Sequence, residues 1–254
     1  KLKGGGFELT LGRQRVALGT SLLWQPTDIL NPVSPIALER DERQGIDALH
    51  LLYRMGATSR LETALAPQDT WADSSLIGRL KTTLGSYDLG VIGGKKEEDR
   101  VLGGEFMGHI GDSGLYGEGL YRWAEDGEDY FTGSLGWQNQ FKDGPFVDVE
   151  YFYNGGGVAR TADYDPLKLL AGELSLARDY LGGNVGYNIT PLFRGELYAI
   201  INLDDGGQIY NPSALVSVLP NLDWGWGAIV YNSDEGDEYS YYRDVFYTYL
   251  KWYF

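Results

Sequence analysis

Apolar residues recur at every second position through most of this chain. Leu222, Trp224, Trp226, Ala228 and Val230 alternate with Asp223, Gly225, Gly227 and Ile229. Phe193, Gly195, Leu197, Ala199 and Ile201 alternate with Arg194, Glu196 and Tyr198, and Leu76, Gly78, Leu80, Thr82 and Leu84 with Ile77, Arg79, Lys81 and Thr83. The final segment does the same: Phe254, Trp252, Leu250, Thr248 and Phe246 against Tyr253, Lys251, Tyr249, Tyr247 and Arg243. A period of two puts successive side chains on opposite faces of a strand, so each segment has one greasy and one wet face. About fourteen strands are predicted, over 7–20, 46–55, 59–67, 75–84, 86–95, 101–110, 114–124, 129–141, 145–154, 178–190, 193–203, 209–219, 222–232 and 241–254. Most exceed the usual length of about 5–6 residues and suit the roughly 9–11 that a tilted strand needs to cross a bilayer.

The connections alternate as well. One set is tight: 56–59, 85–86, 111–114, 142–144, 190–191 and 220–221. The other is longer and acidic: 21–45, 68–74, 96–100, 125–128, 155–177, 204–208 and 233–240. Short turns at one end and long loops at the other are the pattern of an up-and-down antiparallel β-barrel in a membrane. An even strand count puts both termini on the short-turn side. The chain is expected to be one barrel domain, 1–254, with long outer segments 20–45 and 155–177.

Charge follows the same division. The net charge is −15. The long loops, taken as 21–45, 68–74, 96–100, 124–129, 155–177, 204–208 and 232–240, hold 22 acidic and 6 basic residues, which accounts for essentially all of it. So acidic a chain lacks the basic face that nucleic-acid binding needs. There is no cysteine, hence no disulfide framework and no thiolate metal site. No run approaches the roughly 18 apolar residues of a membrane helix. The chain opens on Lys1, so either a leader has been removed or the start is missing; in the second case sixteen strands are expected.

Aromatic residues mark the strand ends. Phe141, Phe146, Phe193, Trp224, Trp252 and Phe254 fall near the tight turns, and Trp123, with Tyr121, Phe131, Tyr151, Tyr153 and Tyr242, near the acidic loops. Two such belts suit the two membrane–water interfaces. With the terminal Phe254, this pattern resembles a Gram-negative outer-membrane β-barrel over nearly the whole chain. LGRQRVALG, LWQPTDILNP, ERDERQGIDAL and NLDDGGQIYNPS resemble recurring phrases of a poorly characterised group of porin-like barrels. The resemblance implies periplasmic termini, extracellular acidic loops, contact with lipid and lipopolysaccharide, and recognition of the terminal aromatic by the barrel-assembly machinery.

Two segments depart from a plain meander. Residues 20–45 contain three prolines and apolar residues that do not alternate, so this stretch is expected to pack on the rim or fold into the mouth. Residues 163–177 suggest a short helix with Asp165 as cap, Pro166 in the first turn and Leu167, Leu170, Ala171 and Leu174 on one face.

Alternation also assigns the interior. Arg54, Arg60, Arg79, Lys81, Arg243 and Lys251 form a basic set. Arg13 and Arg15 join it if a bulge at Gly12 corrects their phase. In a closed barrel the last strand neighbours the first, which makes this set one arc. Glu105, Glu118, Asp148 and Glu150 form an acidic arc with Arg122 among it, and Arg194 and Glu196 complete the pore-lining set. Opposed arcs would set a transverse field across a wet pore; alternatively, the charges pair from strand to strand.

No cofactor is implied. Clustered carboxylates at Glu125, Asp126, Glu128 and Asp129, at Asp204 and Asp205, and at 234–238 are the places a divalent cation could bind, but none has calcium-loop spacing. GDSG at 111–114 spells a protease-like motif. However, Ser113 falls in a tight turn, where an oxyanion hole is hard to supply, and the chain has only two histidines, His50 and His109. The expected function is passive diffusion of small hydrophilic solutes or ions, not catalysis. The alternatives are a scaffold that sheaths or anchors a partner protein, such as a redox conduit or a surface lipoprotein, and an outer-membrane hydrolase.

Overall fold

The computed structural model describes residues 1–32, 45–170 and 175–254. It contains fifteen strands: β1 (Leu2–Gly4), β2 (Phe7–Gln14), β3 (Ile46–Met55), β4 (Ser59–Ala66), β5 (Ser75–Leu84), β6 (Tyr87–Lys96), β7 (Asp99–Ile110), β8 (Ser113–Trp123), β9 (Tyr130–Gln140), β10 (Phe146–Asn154), β11 (Asp179–Thr190), β12 (Phe193–Asn202), β13 (Gln208–Leu219), β14 (Leu222–Asn232) and β15 (Val245–Trp252). They form one sheet whose spatial order is the chain order. The fifteenth strand, beyond the fourteen expected, is the short β1. It pairs Leu2 with Leu9 and Gly4 with Phe7 through Gly5 and Gly6, both at positive φ as a tight hairpin turn requires. No helix among the described residues is long and apolar enough to cross a membrane.

Two expected strands are shorter than the alternation suggests. The first ends at Gln14 rather than at residue 20. The Gln14 side-chain amide there donates to the carbonyls of Thr10, Gly12 and Ala48 and closes the ladder. The last begins at Val245, because Glu238–Tyr241 turns as a 3₁₀ helix.

The sheet divides into two compact units, residues 1–110 with 114–135, and residues 111–113 with 136–254. In the first unit, register fixes the two faces. Ala64 pairs with Ile77 and Glu62 with Arg79 on one face, while Leu61 pairs with Leu80 and Leu65 with Leu76 on the other. The second of these faces carries large apolar residues in the open, among them Leu11 at 75% and Leu102 at 51% exposure. The first face is covered. Beyond Gln14 the chain leaves the sheet as a strap, and its Val16, Leu18, Ile29 and Leu30 pack on Ala48, Ala64, Ile77, Ile92, Val101 and Leu120. Burying each such strap side chain is worth about 1.5–3 kcal/mol. The Asn31 side chain accepts from the Val16 amide, so the strap doubles back on itself. The segment expected to pack on the rim or fold into the mouth thus lies against the interior face of the first unit, as far as Pro32; residues 33–44 lie outside the described residues.

In the second unit the same two-sided pattern holds. Phe246, Leu250 and Trp252 are 81%, 67% and 70% exposed on one face of β15, and Tyr247, Tyr249 and Lys251 occupy the other. At the long-loop end a small core forms from Leu176, Ala177, Tyr180, Ile200, Ile209 and Tyr239, all buried. The expected helix is present as α1 (Pro166–Leu170), with the Asp165 carboxylate accepting from the Leu167 amide at 3.0 Å. Leu167 is 68% exposed; Ala171 and Leu174 of the expected apolar face lie outside the described residues.

Candidate functional site

The interior of the first unit is a clamp on the strap. Glu62 and Arg79 face each other in register, with Arg79 Nε donating to Glu62 Oε2 at 3.0 Å. Arg79 Nη1 donates to the Leu18 carbonyl at 2.5 Å and lies 3.6 Å from Glu105 Oε1, which Lys81 approaches at 3.1 Å. Glu105 reaches across β6 because residue 90 opposite it is glycine. A Cβ there would stand 2.4 Å from Glu105 Oε1. The strap answers with Thr20, whose hydroxyl donates to Glu105 and whose amide donates to Glu118 Oε2 at 2.8 Å. Thr27 Oγ1 donates to the same Glu118 oxygen at 2.7 Å, and Ser21 shares a 2.8 Å hydroxyl bond with Ser134. Hydrogen bonds to charged groups are worth about 1.5–3 kcal/mol each, so these contacts fix the strap as firmly as its apolar residues do.

Of the two arrangements expected of the interior charges, opposed arcs or strand-to-strand pairs, these residues adopt the pairs. Arg60, Arg79 and Lys81 do not face acids across open water. Arg60 pairs with Glu62 at 2.9 Å, Arg79 pairs with Glu62 on the adjacent β4, and Arg79 and Lys81 share Glu105, which reaches over from β7. Where the strap meets the ends of β2 to β6 it leaves a cavity of about 500 Å³, lined among others by Ile29, Leu30, Asp47, Pro67, Gln68 and Lys96.

The second unit presents a different interior face. Arg194 and Glu196 pair at 2.8 Å, and Asn184 donates to Glu196 at 3.4 Å. The Tyr247 hydroxyl donates to Asn211 at 2.8 Å, and Lys251 lies over the Tyr249 ring, 5.4 Å from its centroid. At the long-loop end, Glu238 joins three loops. Its carboxylate accepts from the Leu176 amide at 3.0 Å, from the Tyr180 hydroxyl at 2.6 Å and from the Asn202 amide at 2.9 Å, and its own N–H donates to Asp205 at 3.0 Å. Glu238 is 2% exposed. Burial pushes its carboxyl up to about 7, against the hydrogen bonds from Tyr180 and Leu176; the neighbouring Asp205 adds to the rise. Burial likewise raises Tyr164 and Tyr239 beside it.

The remaining candidates from the sequence fall as follows. Gly12 takes a positive φ of 103°, yet the register runs through it unshifted, so Arg13 stays on the face of Leu11, 4.0 Å from Asp47. Arg15 lies beyond the ladder and is exposed. Arg243 precedes β15 and is not a strand residue. Arg54 is 3.9 Å from Glu8, and Arg122 is 3.5 Å from Asp99 and over the Tyr130 ring. Asp148 and Glu150 are fully buried on β10. Of the belt aromatics, Trp123, Phe141, Trp224, Trp252 and Phe254 are exposed, and Phe193 stacks on Trp226 at 6.3 Å. Phe146 instead shares the face of Asp148 and Glu150.

The loop carboxylates staple backbone. Asp129 accepts from the Ala124 amide, Asp204 from the amides of Arg178 and Asp179, and Asp205 from Gly207. Among the described residues no three His, Asp or Glu converge to hold a metal, and Glu125, Asp126, Glu128 and Asp129 are exposed. Ser113 donates to Asn139 at 3.3 Å, at the start of β8. The alternation does not single out Glu62, Thr20, Thr27, Tyr180 or Asn202. Glu62 shares the inward parity of Arg60, but the strap contacts and the Tyr180–Glu238 bond join residues 58 to 113 positions apart, which no local pattern reports.

The backbone is similar to a crystal structure of the outer membrane protein OpdK from Pseudomonas aeruginosa. The TM-score is 0.61 at 12% sequence identity, over 98% of this chain and 76% of that one. The fold is that of an outer-membrane β-barrel. No family model matches the chain. No curated protein matches it either.

Proposed function

We propose that the protein is an outer-membrane channel through which small hydrophilic solutes or ions diffuse passively. The two-faced wall carries this reading. Exposed Leu11, Leu102, Phe246, Leu250 and Trp252 suit lipid, while the opposite face of the same strands carries charges, amides and hydroxyls that suit water. The similarity in fold to an outer membrane protein supports the location. In this reading both termini are periplasmic, the acidic loops are extracellular, and lipopolysaccharide and the barrel-assembly machinery are its surroundings and its route there. Passage is selected by size, set largely by the strap and its ion-paired clamp, and no bond is made or broken.

Conductance of the purified protein in a planar bilayer tests the reading. Stepwise ohmic currents are the expected result. A silent barrel that co-purifies with a second chain would replace the channel with a scaffold.

A further inference from the structure

Tyr247 and Tyr249 stand on the interior face of β15, directly opposite Gly227 and Gly225 of β14. Each ring occupies the space that a side chain would take on the facing strand. A Cβ on Gly225 would fall 2.3 Å from Tyr249 Cζ, and one on Gly227 would fall 2.5 Å from the Tyr247 hydroxyl. The rings therefore lie over the glycines instead of projecting from the wall. Their planes differ by 11° and their centroids are 6.5 Å apart. Tyr249 remains 40% exposed.

What surrounds this pair is polar but electrically balanced. Asn211 accepts the Tyr247 hydroxyl, and Ser213 lies in register with Gly227. Lys251 sits over Tyr249 and directly opposite Asp223, and Arg194 is neutralised by Glu196. Among the described residues each of these two cations thus has a carboxylate beside it, in register or paired. A purely apolar solute would cover amides and hydroxyls without satisfying them. A pyranose fits both demands. Its C–H face stacks on an aromatic plane, while its rim of hydroxyls both donates to and accepts from amides, carboxylates and phenols. Tyrosine presents such a plane with few rotatable bonds, and the glycine bed restrains those that remain. Two near-parallel rings in succession suit a chain of sugars better than a single one.

We propose that Tyr247 and Tyr249 form a docking wall for neutral oligosaccharides inside the second unit. The proposal deepens the channel reading and names the class of solute.

Maltohexaose serves as the probe, in two assays. In planar bilayers it is expected to interrupt the current in proportion to its concentration, whereas glutamate at equal concentration does not. Calorimetry of the detergent-solubilised protein is expected to show maltohexaose binding without requiring an open pore. Y247A and Y249A should each weaken binding roughly three- to tenfold, the scale of one aromatic contact. Y247F with Y249F keeps both planes and should retain blockade within about threefold. G225A, which drives a methyl into the Tyr249 ring, should weaken binding as Y249A does. An ohmic channel blind to maltohexaose in both assays, or wild-type affinity retained in both Y247A and Y249A, overturns the wall and leaves the channel. A silent barrel that binds maltohexaose and loses it in Y249A keeps the wall and overturns the channel; a silent barrel that gives no heat overturns both.

Discussion

Arg79 on β5 lies in register with Glu62 on β4, and its Nη1 donates to the carbonyl of Leu18, a residue of the strap. One buried side chain thus joins wall to wall and wall to strap. Arg79, Glu62 and Glu105 are all about 5% exposed, so the cation cannot be removed without leaving carboxylates in a poorly hydrated place.

R79A should therefore destabilise the barrel by about 3–5 kcal/mol, the scale for breaking a buried ion pair from one side. Heat-modifiability on gels, read as the temperature at which the folded band is lost, checks this. Released from the Leu18 carbonyl, the strap should also move, and single-channel current should rise and become noisier. R54A is the control: Arg54 is exposed and only 3.9 Å from Glu8, so its melting temperature should equal the wild type's.

T27V tests the strap from the other side. It keeps the shape of Thr27 and removes the 2.7 Å hydrogen bond to Glu118. The loss should be about 1.5–3 kcal/mol, with an increase in current smaller than that of R79A. Unchanged current in both variants would mean that the strap does not limit passage.

Glu238 makes loop docking depend on pH. A free glutamate releases its proton near 4.5, whereas burial holds the Glu238 proton up to about pH 7. A raised folded-state value means that the stabilisation is full below about pH 4.5 and is lost as pH rises through 7. Its size is on the order of 3 kcal/mol. Glu238 makes no ion pair among the described residues that would offset the charge, and Asp205, bonded to its backbone, opposes it. Hydrogen exchange at the Leu176 and Ala177 amides, corrected for intrinsic rate, should show protection at pH 5 that falls by pH 8. E238Q, neutral throughout, should abolish the difference.

The interior pairs of the first unit cancel one another, so the acidic loops should set ion preference. In a salt gradient the reversal potential should show cations favoured. Neutralising Glu125, Asp126, Glu128 and Asp129 together should reduce that preference. A marked preference for anions would mean that an interior cation outweighs the mouth.

Much of the wall was legible in the sequence because each strand separates two solvents, and a period of two is the direct record of that. The strand ends at Ile46, Met55, Ser75, Leu84, Leu222 and Asn232 coincide with the expected ones. The same rule failed where an extended chain alternates for another reason. Val16 and Leu18 alternate with Arg15 and Ala17 because the strap packs one side on the interior face, not because it is a strand. Arg60, Arg79, Lys81 and Glu105 keep the face that alternation gives them, whereas Arg13, Arg15 and Arg243 do not, and which partner each charge takes was not legible. That pairing depends on register, which the turns set, and on the strap, which arrives from elsewhere in the chain. Glu238 reads as a solvated loop residue until the contacts of Tyr180 and Asn202 are seen.

Alternate residues of each strand meet lipid and water. The chain has no cysteine, so single cysteines placed one at a time from Val245 to Trp252 can each carry a spin label in reconstituted vesicles. Oxygen, which partitions into lipid, and a water-soluble nickel chelate then report the surroundings of each site. Two out-of-phase alternations are expected, oxygen highest at 246, 250 and 252 and nickel highest at 247, 249 and 251. Uniform access of the nickel chelate along the whole strand would contradict this alternation.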